Sequence, residues 1–271
     1  MAERTVGVIG ASSLVGDYLM PQLAAAGWAP VPWARDRAAE PGCAIAHWIL
    51  LAPVWTVTDQ FALWQACGAR RVVALSSTSV ESKAASADAA EQALVARLLV
   101  GEAALAAWCG RTGAEWVLLR PTLIYGGGRD RNVSDIARLV RRFGWFPLAG
   151  RGAGLRQPVH AADVAAACVA ALSAPAAAGR TYALSGGETL SYRDMVARVF
   201  RALGRPPRFL SLPLWAVRAL LALLRLLPRF SHWTPAMVTR MGADLVFDHA
   251  PAARDLGFAP RAFRPDGEDL P

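Results

Sequence analysis

Thr5-Val-Gly-Val-Ile-Gly10-Ala-Ser-Ser-Leu-Val-Gly16 is the stretch whose reading decides the fold. A short apolar strand over residues 6–9 runs into a glycine turn, and a helical pattern follows over 14–26. In such a unit the unpaired N–H groups of the first helical turn and the helix dipole both favour negative charge. It therefore suits the pyrophosphate of a dinucleotide. Gly10 permits the tight turn and Gly16 lets the helix pack close to the strand. Ser13 stands where a full G-x-x-G-x-x-G run has its middle glycine. The spacing predicts cofactor contacts at Gly10, Ser12, Ser13, Leu14, Val15 and Gly16, against the plain alternative of a ligand-free βα turn.

Working outward, 271 residues can bury a substantial core as one α/β domain with a smaller lobe. Apolar residues make up 54%, but no uninterrupted apolar stretch of about 20 residues is present, so no spanning helix is expected. The first strand begins without a basic leader or a signal-type apolar region, and a cytoplasmic protein is the expectation. The net charge is +8, with Lys83 the only lysine among 29 basic residues. The arginines are spread along the chain without a basic block interleaved with aromatics, which argues against a nucleic-acid partner. Cys43, Cys67, Cys109 and Cys168 have no C-x-x-C spacing and no His cluster beside them. Buried, reduced thiols and no metal site are expected.

Strand patterns at 6–9, 29–33, 46–52, 71–76 and 116–120 alternate with helical ones at 14–26, 59–66 and 88–109. Continuous apolar strands such as Trp48-Ile-Leu-Leu-Ala52 fit a parallel sheet covered on both faces, hence a Rossmann-type doubly wound α/β fold. The stretch between Arg37 and Ala46 is too short for a further βα unit, so the sheet edge there is trimmed. From Gly126 the texture changes. Helices are expected at 132–143, after a strand-to-helix passage at 157–163 to about 173, at 191–203 and at 213–227, with a strand at 181–184. A small C-terminal lobe is expected mainly from about 126–160 and 185–271.

Several segments then occur in a recognisable order. They are the Gly10–Gly16 turn, Ala52-Pro53, Leu75-Ser-Ser-Thr-Ser79, Leu119-Arg-Pro-Thr-Leu-Ile-Tyr-Gly126, Gln157-Pro-Val-His-Ala-Ala-Asp-Val164 and Tyr182-Ala-Leu-Ser-Gly-Gly-Glu-Thr-Leu-Ser191. Together they resemble the extended and atypical short-chain dehydrogenase/reductases, the NAD-dependent epimerase/dehydratase-like group. The resemblance implies that Leu51, Ala52 and Pro53 lie beside the adenine ribose. It places Ser76 and Ser77 in the cofactor site, Thr78 as the active-site hydroxyl, and Pro121, Thr122, Leu123 and Tyr125 alongside the nicotinamide. After the second strand, NAD-preferring relatives carry an acidic residue, whereas this chain has Arg35, then Asp36 and Arg37. A guanidinium pairs bidentately with a 2′-phosphate, so NADP(H) is expected over NAD(H), and Asp36 is the residue that would reverse the choice.

Active members of this group use a tyrosine as general acid–base, with a lysine four residues later lowering its pKa. That pair should fall on the helix over 88–109, which contains neither tyrosine nor lysine. Thr78, Lys83 and Tyr125 are the nearest candidates for catalysis, with a solvated loop as the plain reading of Lys83 and packing as that of Tyr125. Three readings stay open: an oxidoreductase or epimerase-like enzyme using substitute groups, a catalytically silent NADP(H)-binding sensor or assembly factor, and an interaction scaffold without nucleotide. The substrate expected is a small molecule, anionic or nucleotide-linked. Arg129, Asp130, Arg131, Asn132 and Arg156 are candidates to meet it.

Between Pro213 and Pro228 lie Trp215, six leucines from Leu220 to Leu227, and Arg218 and Arg225 seven apart. Fourteen residues span about 21 Å as a helix, too short to cross a bilayer. The segment reads as a core or homodimer helix, with peripheral membrane contact through 213–228 as the sharper alternative. Asp163 is expected to cap the helix that follows it, and Asp17 and Glu102 to be helix-surface carboxylates.

Overall fold

The computed structural model describes residues 4–34, 43–213, 215, 216, 219 and 241–271. Arg35, Asp36, Arg37 and nearly all of the 213–228 stretch therefore lie outside the described residues. The chain forms two compact units: Met1–Thr122, Val159–Ser185 and Phe247–Pro260 make the first, and Leu123–Pro158, Gly186–Val246 and Arg261–Pro271 the second.

The first unit is an α/β unit built on a parallel sheet of six strands: β1 (Arg4–Ile9), β2 (Trp28–Trp33), β3 (His47–Leu50), β4 (Arg71–Leu75), β5 (Glu115–Pro121) and β10 (Arg180–Leu184), in the order β10-β5-β4-β3-β1-β2. One short strand of this unit, β9 (Val159–His160), precedes β10 in the chain, as do three strands of the second unit, the first of them β6 (Ile124–Tyr125). Val6, Val8, Ile49, Leu50, Val72 and Val73 are wholly buried, as strands covered on both faces require. Gly7 faces Trp48 across the β1–β3 register, and a Cβ there would fall 2.3 Å from the indole ring. β2 is an edge strand, and its Pro30 and Pro32 are tolerated there because an edge leaves one side of the ladder unpaired. This is the trimmed edge that the short 37–46 connection foretells.

Helix α1 (Leu14–Ala25) packs on α6 (Ala161–Ala171), with Gln22 Nε2 donating to Ala162 O at 3.1 Å. The α6 N-cap is His160, whose Nδ1 accepts from Ala162 N, and Asp163 sits within the first turn. That corrects the cap expected at Asp163; the imidazole nitrogen reaches the free N–H first. The helical pattern at 59–66 splits into a 3-10 segment, Val54–Gln60, and α2 (Phe61–Ala66). After β4 come a single-turn helix, α3 (Ser79–Ser82), and the long α4 (Ala89–Thr112). Asp88 caps α4 by accepting from Ala90 and Glu91 N–H, and Gly113 ends it at φ 74°. By length and composition α4 could cross a membrane, yet Leu98, Leu105 and Trp108 of its inner face belong to the sheet core.

Cys43 and Cys67 are joined as a disulfide with Cα atoms 4.9 Å apart, while Cys109 and Cys168 are free and buried. Four reduced thiols were the expectation, and only two are found. Sequence spacing held no sign of the pair, because the fold, not the 24-residue separation, brings the ends of two loops together.

The second unit pairs β7 (Phe146–Ala149) with β12 (Phe209–Leu212) in parallel, and β8 (Leu155–Arg156) with β11 (Leu190–Ser191) antiparallel. Helices α5 (Val133–Phe143) and α7 (Tyr192–Ala202) enclose with them a core of Ile136, Val140, Phe146, Val196, Phe200 and Phe263. Residues Phe247–Pro260 interrupt this unit and return to the first, where α8 (Ala250–Leu256) places Asp255 2.8 Å from Tyr182 Oη.

Gly101 of α4 lies so close to the 3-10 segment that a Cβ would stand 2.5 Å from Val54 O. Gly101→Val is expected to lower stability by about 1–3 kcal/mol in urea unfolding. Gly110→Ala, on the same helix with nothing within 4 Å of its Cβ position, is expected to raise it by about 0.5–1 kcal/mol.

Candidate functional site

The strand order reverses between β1 and β3, since the chain goes from β1 outward to β2 and then crosses back. In open α/β sheets the carboxyl ends of strands at such a reversal form the ligand crevice. Here two backbones meet in it. Gly10, at φ +87°, is a position whose added Cβ would fall 2.9 Å from Ala52 N and 3.2 Å from Leu51 C. Gly16 is as tightly placed, with its Cβ position 2.1 Å from Ala11 O. Only glycine fits either place.

Ser13 is the N-cap of α1. Its N–H donates to Gly10 O at 3.0 Å, and its hydroxyl accepts from Gly16 N–H at 3.2 Å. It thus consumes one of the donors that a middle glycine would leave open. Among the described residues nothing accepts from the N–H groups of Leu14 or Val15, which open the helix at the dipole's positive end. Two unspent donors, a cradle that only glycine permits and exposed Ser12 beside them fit a diphosphate. Leu51 N–H donates to Ile9 O at 2.9 Å, so Leu51, buried Ala52 and exposed Pro53 continue the crevice wall.

The tip of β4 is tied to α4 and β5 by a buried ion pair. Arg120 Nε and Nη2 donate to Glu102 Oε1 and Oε2 at 2.9 and 2.5 Å, Ser76 Oγ donates to Glu102 Oε1 at 2.5 Å, and Arg120 Nη1 reaches Glu81 at 3.1 Å. The bond to Glu102, ahead of the opposing effect of burial, raises the Arg120 pKa. Glu102 is 7% exposed, so the surface carboxylate expected from sequence is corrected to a buried one. The available signal was its place on the apolar Leu98-Gly101-Glu102-Leu105 face, with an arginine in the next strand.

Thr78 is buried, and its Oγ1 donates to Pro121 O at 3.2 Å. Ser77 Oγ donates to Ser79 Oγ at 3.0 Å. Thr78 and Lys83 are the two caps of α3, so the only lysine is delivered close in sequence to the β4 tip, with its Nζ 3.5 Å from Glu91. Thr122 N–H donates to Leu184 O at 3.0 Å beyond buried Pro121. Leu123 and Tyr125 belong to the second unit, where Tyr125 is 1% exposed and meets Phe263 edge-on with centroids 4.8 Å apart. There too Asp130 lies two residues before Asn132, the N-cap of α5, its carboxylate accepting from Asn132 N–H and from the Ser134 hydroxyl. Arg156 is buried and donates to Leu155 O and Ala243 O. The described residues include no group of three metal-binding side chains.

Residues 54–185 match the model of the NAD dependent epimerase/dehydratase family. The chain is 32% identical to NADH dehydrogenase [ubiquinone] 1 alpha subcomplex subunit 9, mitochondrial, of Arabidopsis thaliana, over 40% of this chain and 27% of that protein. It is 33% identical to (4-alkanoyl-5-oxo-2,5-dihydrofuran-3-yl)methyl phosphate reductase of Streptomyces griseus, over 58% of this chain and 50% of the reductase. The chain thus spans at most half of the length of these curated relatives. Among solved structures, RMD from Pseudomonas aeruginosa in complex with NADPH has a TM-score of 0.70 at 16% identity, covering 95% of this chain and 94% of that one. UDP-glucuronic acid 4-epimerase from Bacillus cereus in complex with NAD has a TM-score of 0.69 at 16% identity, covering 98% and 96%. At these identities the likeness concerns the fold.

Removing one partner of the β4–α4–β5 tie should expose its cost. Arg120→Met leaves the Glu102 carboxylate buried without its guanidinium, and a loss of about 2–3 kcal/mol is expected in chemical unfolding. Pairing it with Glu102→Leu should restore much of that loss, because no charge is then stranded.

Proposed function

We propose, taking as premise the chain's likeness to the NAD-dependent epimerase/dehydratase family, that this protein binds NAD(P) at the β1–β3 crevice and works as an oxidoreductase or epimerase-like enzyme. Its substrate is a small anionic or nucleotide-linked molecule. The observation that carries the reading is the Gly10 backbone pressed on Ala52 beneath two unspent N–H donors. Leu14 and Val15 N–H would hold the diphosphate, Leu51, Ala52 and Pro53 would border the ribose, and Ser76, Ser77, Pro121 and Thr122 would continue the site along the strand tips. The nicotinamide, when bound, supplies a hydride acceptor or donor. Arg35 supports NADP(H) over NAD(H) through its guanidinium.

The proton chemistry in this reading falls to substitute groups, because α4 carries neither tyrosine nor lysine. Thr78 would orient a substrate hydroxyl, and Lys83, brought near the β4 tip by α3, would supply the cation. A second reading, a silent nucleotide binder, is favoured by one observation: the hydroxyls of Ser76 and Thr78 and the ammonium of Lys83 all have partners within the protein.

Thermal shift with NADPH, NADP, NADH and NAD tests the common premise. A ligand at a hundred times its Kd adds about 2.7 kcal/mol to stability, a readily measured rise in Tm. NADPH is expected to give the larger rise and Gly10→Val to abolish it. No rise with any of the four defeats both readings. Turnover on a panel of sugar nucleotides, ketones and quinones separates them. The enzymatic reading expects Lys83→Gln to lower kcat by about a hundredfold, and unchanged kcat removes Lys83 from the mechanism.

A further inference from the structure

Strands β1 to β5 begin, at the edge of the sheet opposite the crevice, with Arg4, Trp28, His47, Arg71 and Glu115. These residues line a cavity of about 830 Å³ within the first unit. Arg70 lines it as well. The volume suits a small organic ligand.

The charges around this cavity do not balance. Helices α4 and α6 end there, at Thr112 and Ala171, with the negative ends of their dipoles. Arg71 answers them. Its Nε donates to Ala171 O at 2.8 Å, Nη2 donates to Ala174 O, and Nη1 pairs with Glu115 at 2.7 Å. One guanidinium is thus taken up by a carbonyl at the end of α6, by another three residues beyond it and by the one carboxylate among the lining residues. Arg4 and Arg70 are left over: both are exposed, and among the described residues neither meets a carboxylate. Arg4 lies over the Trp28 ring at 5.8 Å, and His47 stands edge-on to the same ring with centroids 4.9 Å apart.

We propose that this cavity is a binding site for a small organic phosphate, its anion held by Arg4 and Arg70 with His47 as a proton-linked third ligand and its body against Trp28. Guanidinium forks match the geometry of a phosphate, which suits two arginines that meet no carboxylate among the described residues, beside a half-buried imidazole. The groups facing His47 are Arg71, Arg4, Arg70 and Glu115. Burial, then Arg71 and Arg4, hold its pKa below the ordinary imidazole value, with Glu115 opposing them and Arg70 adding to them. A bound anion reverses that bias and the ring takes up a proton, so affinity rises as the pH falls toward 6.

The test is calorimetric titration of the full chain with phenyl phosphate and with inorganic phosphate, at fixed ionic strength and at about pH 6 and pH 8. Tighter binding at the lower pH is expected. Arg4→Gln and Arg70→Gln, at exposed positions that leave the fold intact, should each weaken it about tenfold, the loss of one charge-assisted hydrogen bond. His47→Gln retains the ligand's own titration, so the pH dependence it removes belongs to the ring. The Arg4→Gln/Arg70→Gln double variant should keep the thermal shift that NADPH gives the parent protein, which keeps this outcome separate from the nucleotide proposal. Absence of binding, or equal binding by the parent and the Arg4→Gln/Arg70→Gln double variant, overturns the site. So does loss of the NADPH thermal shift in that double variant, which would put both ligands in one site.

Discussion

The approach of the Gly10 backbone to Ala52 N, at a distance no side chain could share, holds the first unit in register. It fixes the tip of β1 against the tip of β3 at the reversal of strand order, and so sets where α1 begins and where its free N–H groups lie. Gly7 under the Trp48 ring and Gly16 against Ala11 O repeat the constraint on either side. Three glycines in ten residues are therefore steric requirements of one junction, and a phosphate cradle is a by-product of meeting them.

Around that junction the polar groups divide into spent and unspent. The Ser13 hydroxyl accepts from Gly16, the Arg120 guanidinium and the Ser76 hydroxyl donate to Glu102, and the Thr78 hydroxyl donates to Pro121. Buried polar groups must be paired, and at the β4 tip they are paired internally. Among the described residues, the N–H groups of Leu14 and Val15 have no acceptor at one edge of the sheet, and the guanidiniums of Arg4 and Arg70 meet no carboxylate at the other. Both sets favour an anion, the first through the helix dipole and the second through formal charge.

The main sheet was legible in the chain because its strands are continuous apolar runs and its helices are separated by glycine and capped by polar residues. Strand 6–9, the turn at Gly10, helix 14–26 and strand 71–76 were readable to within about two residues of their observed bounds. What escaped was long-range pairing. The Cys43–Cys67 link, the burial of Glu102 and its bond to Arg120 depend on which elements become neighbours, and local periodicity does not carry that. The cap at His160 was missed for a different reason: an imidazole nitrogen does the work usually given to Asp or Ser. Candidate residues of the crevice were visible as a motif, whereas the cavity at the other edge was not, since its arginines are scattered over the chain and meet only through the common starting line of parallel strands.

Pro30 and Pro32 are two residues apart on β2, so their nitrogens face the same way, and the observed pairing with β1 requires that way to be outward. That rim of the sheet presents ring carbons where a hydrogen-bonding template would present amides. A foreign strand, or a second copy of this chain, cannot extend the sheet through that rim, which leaves β10 as the sheet's other edge. Two imino acids thus protect this margin, which carries Trp28 and Trp33, from fibrous growth.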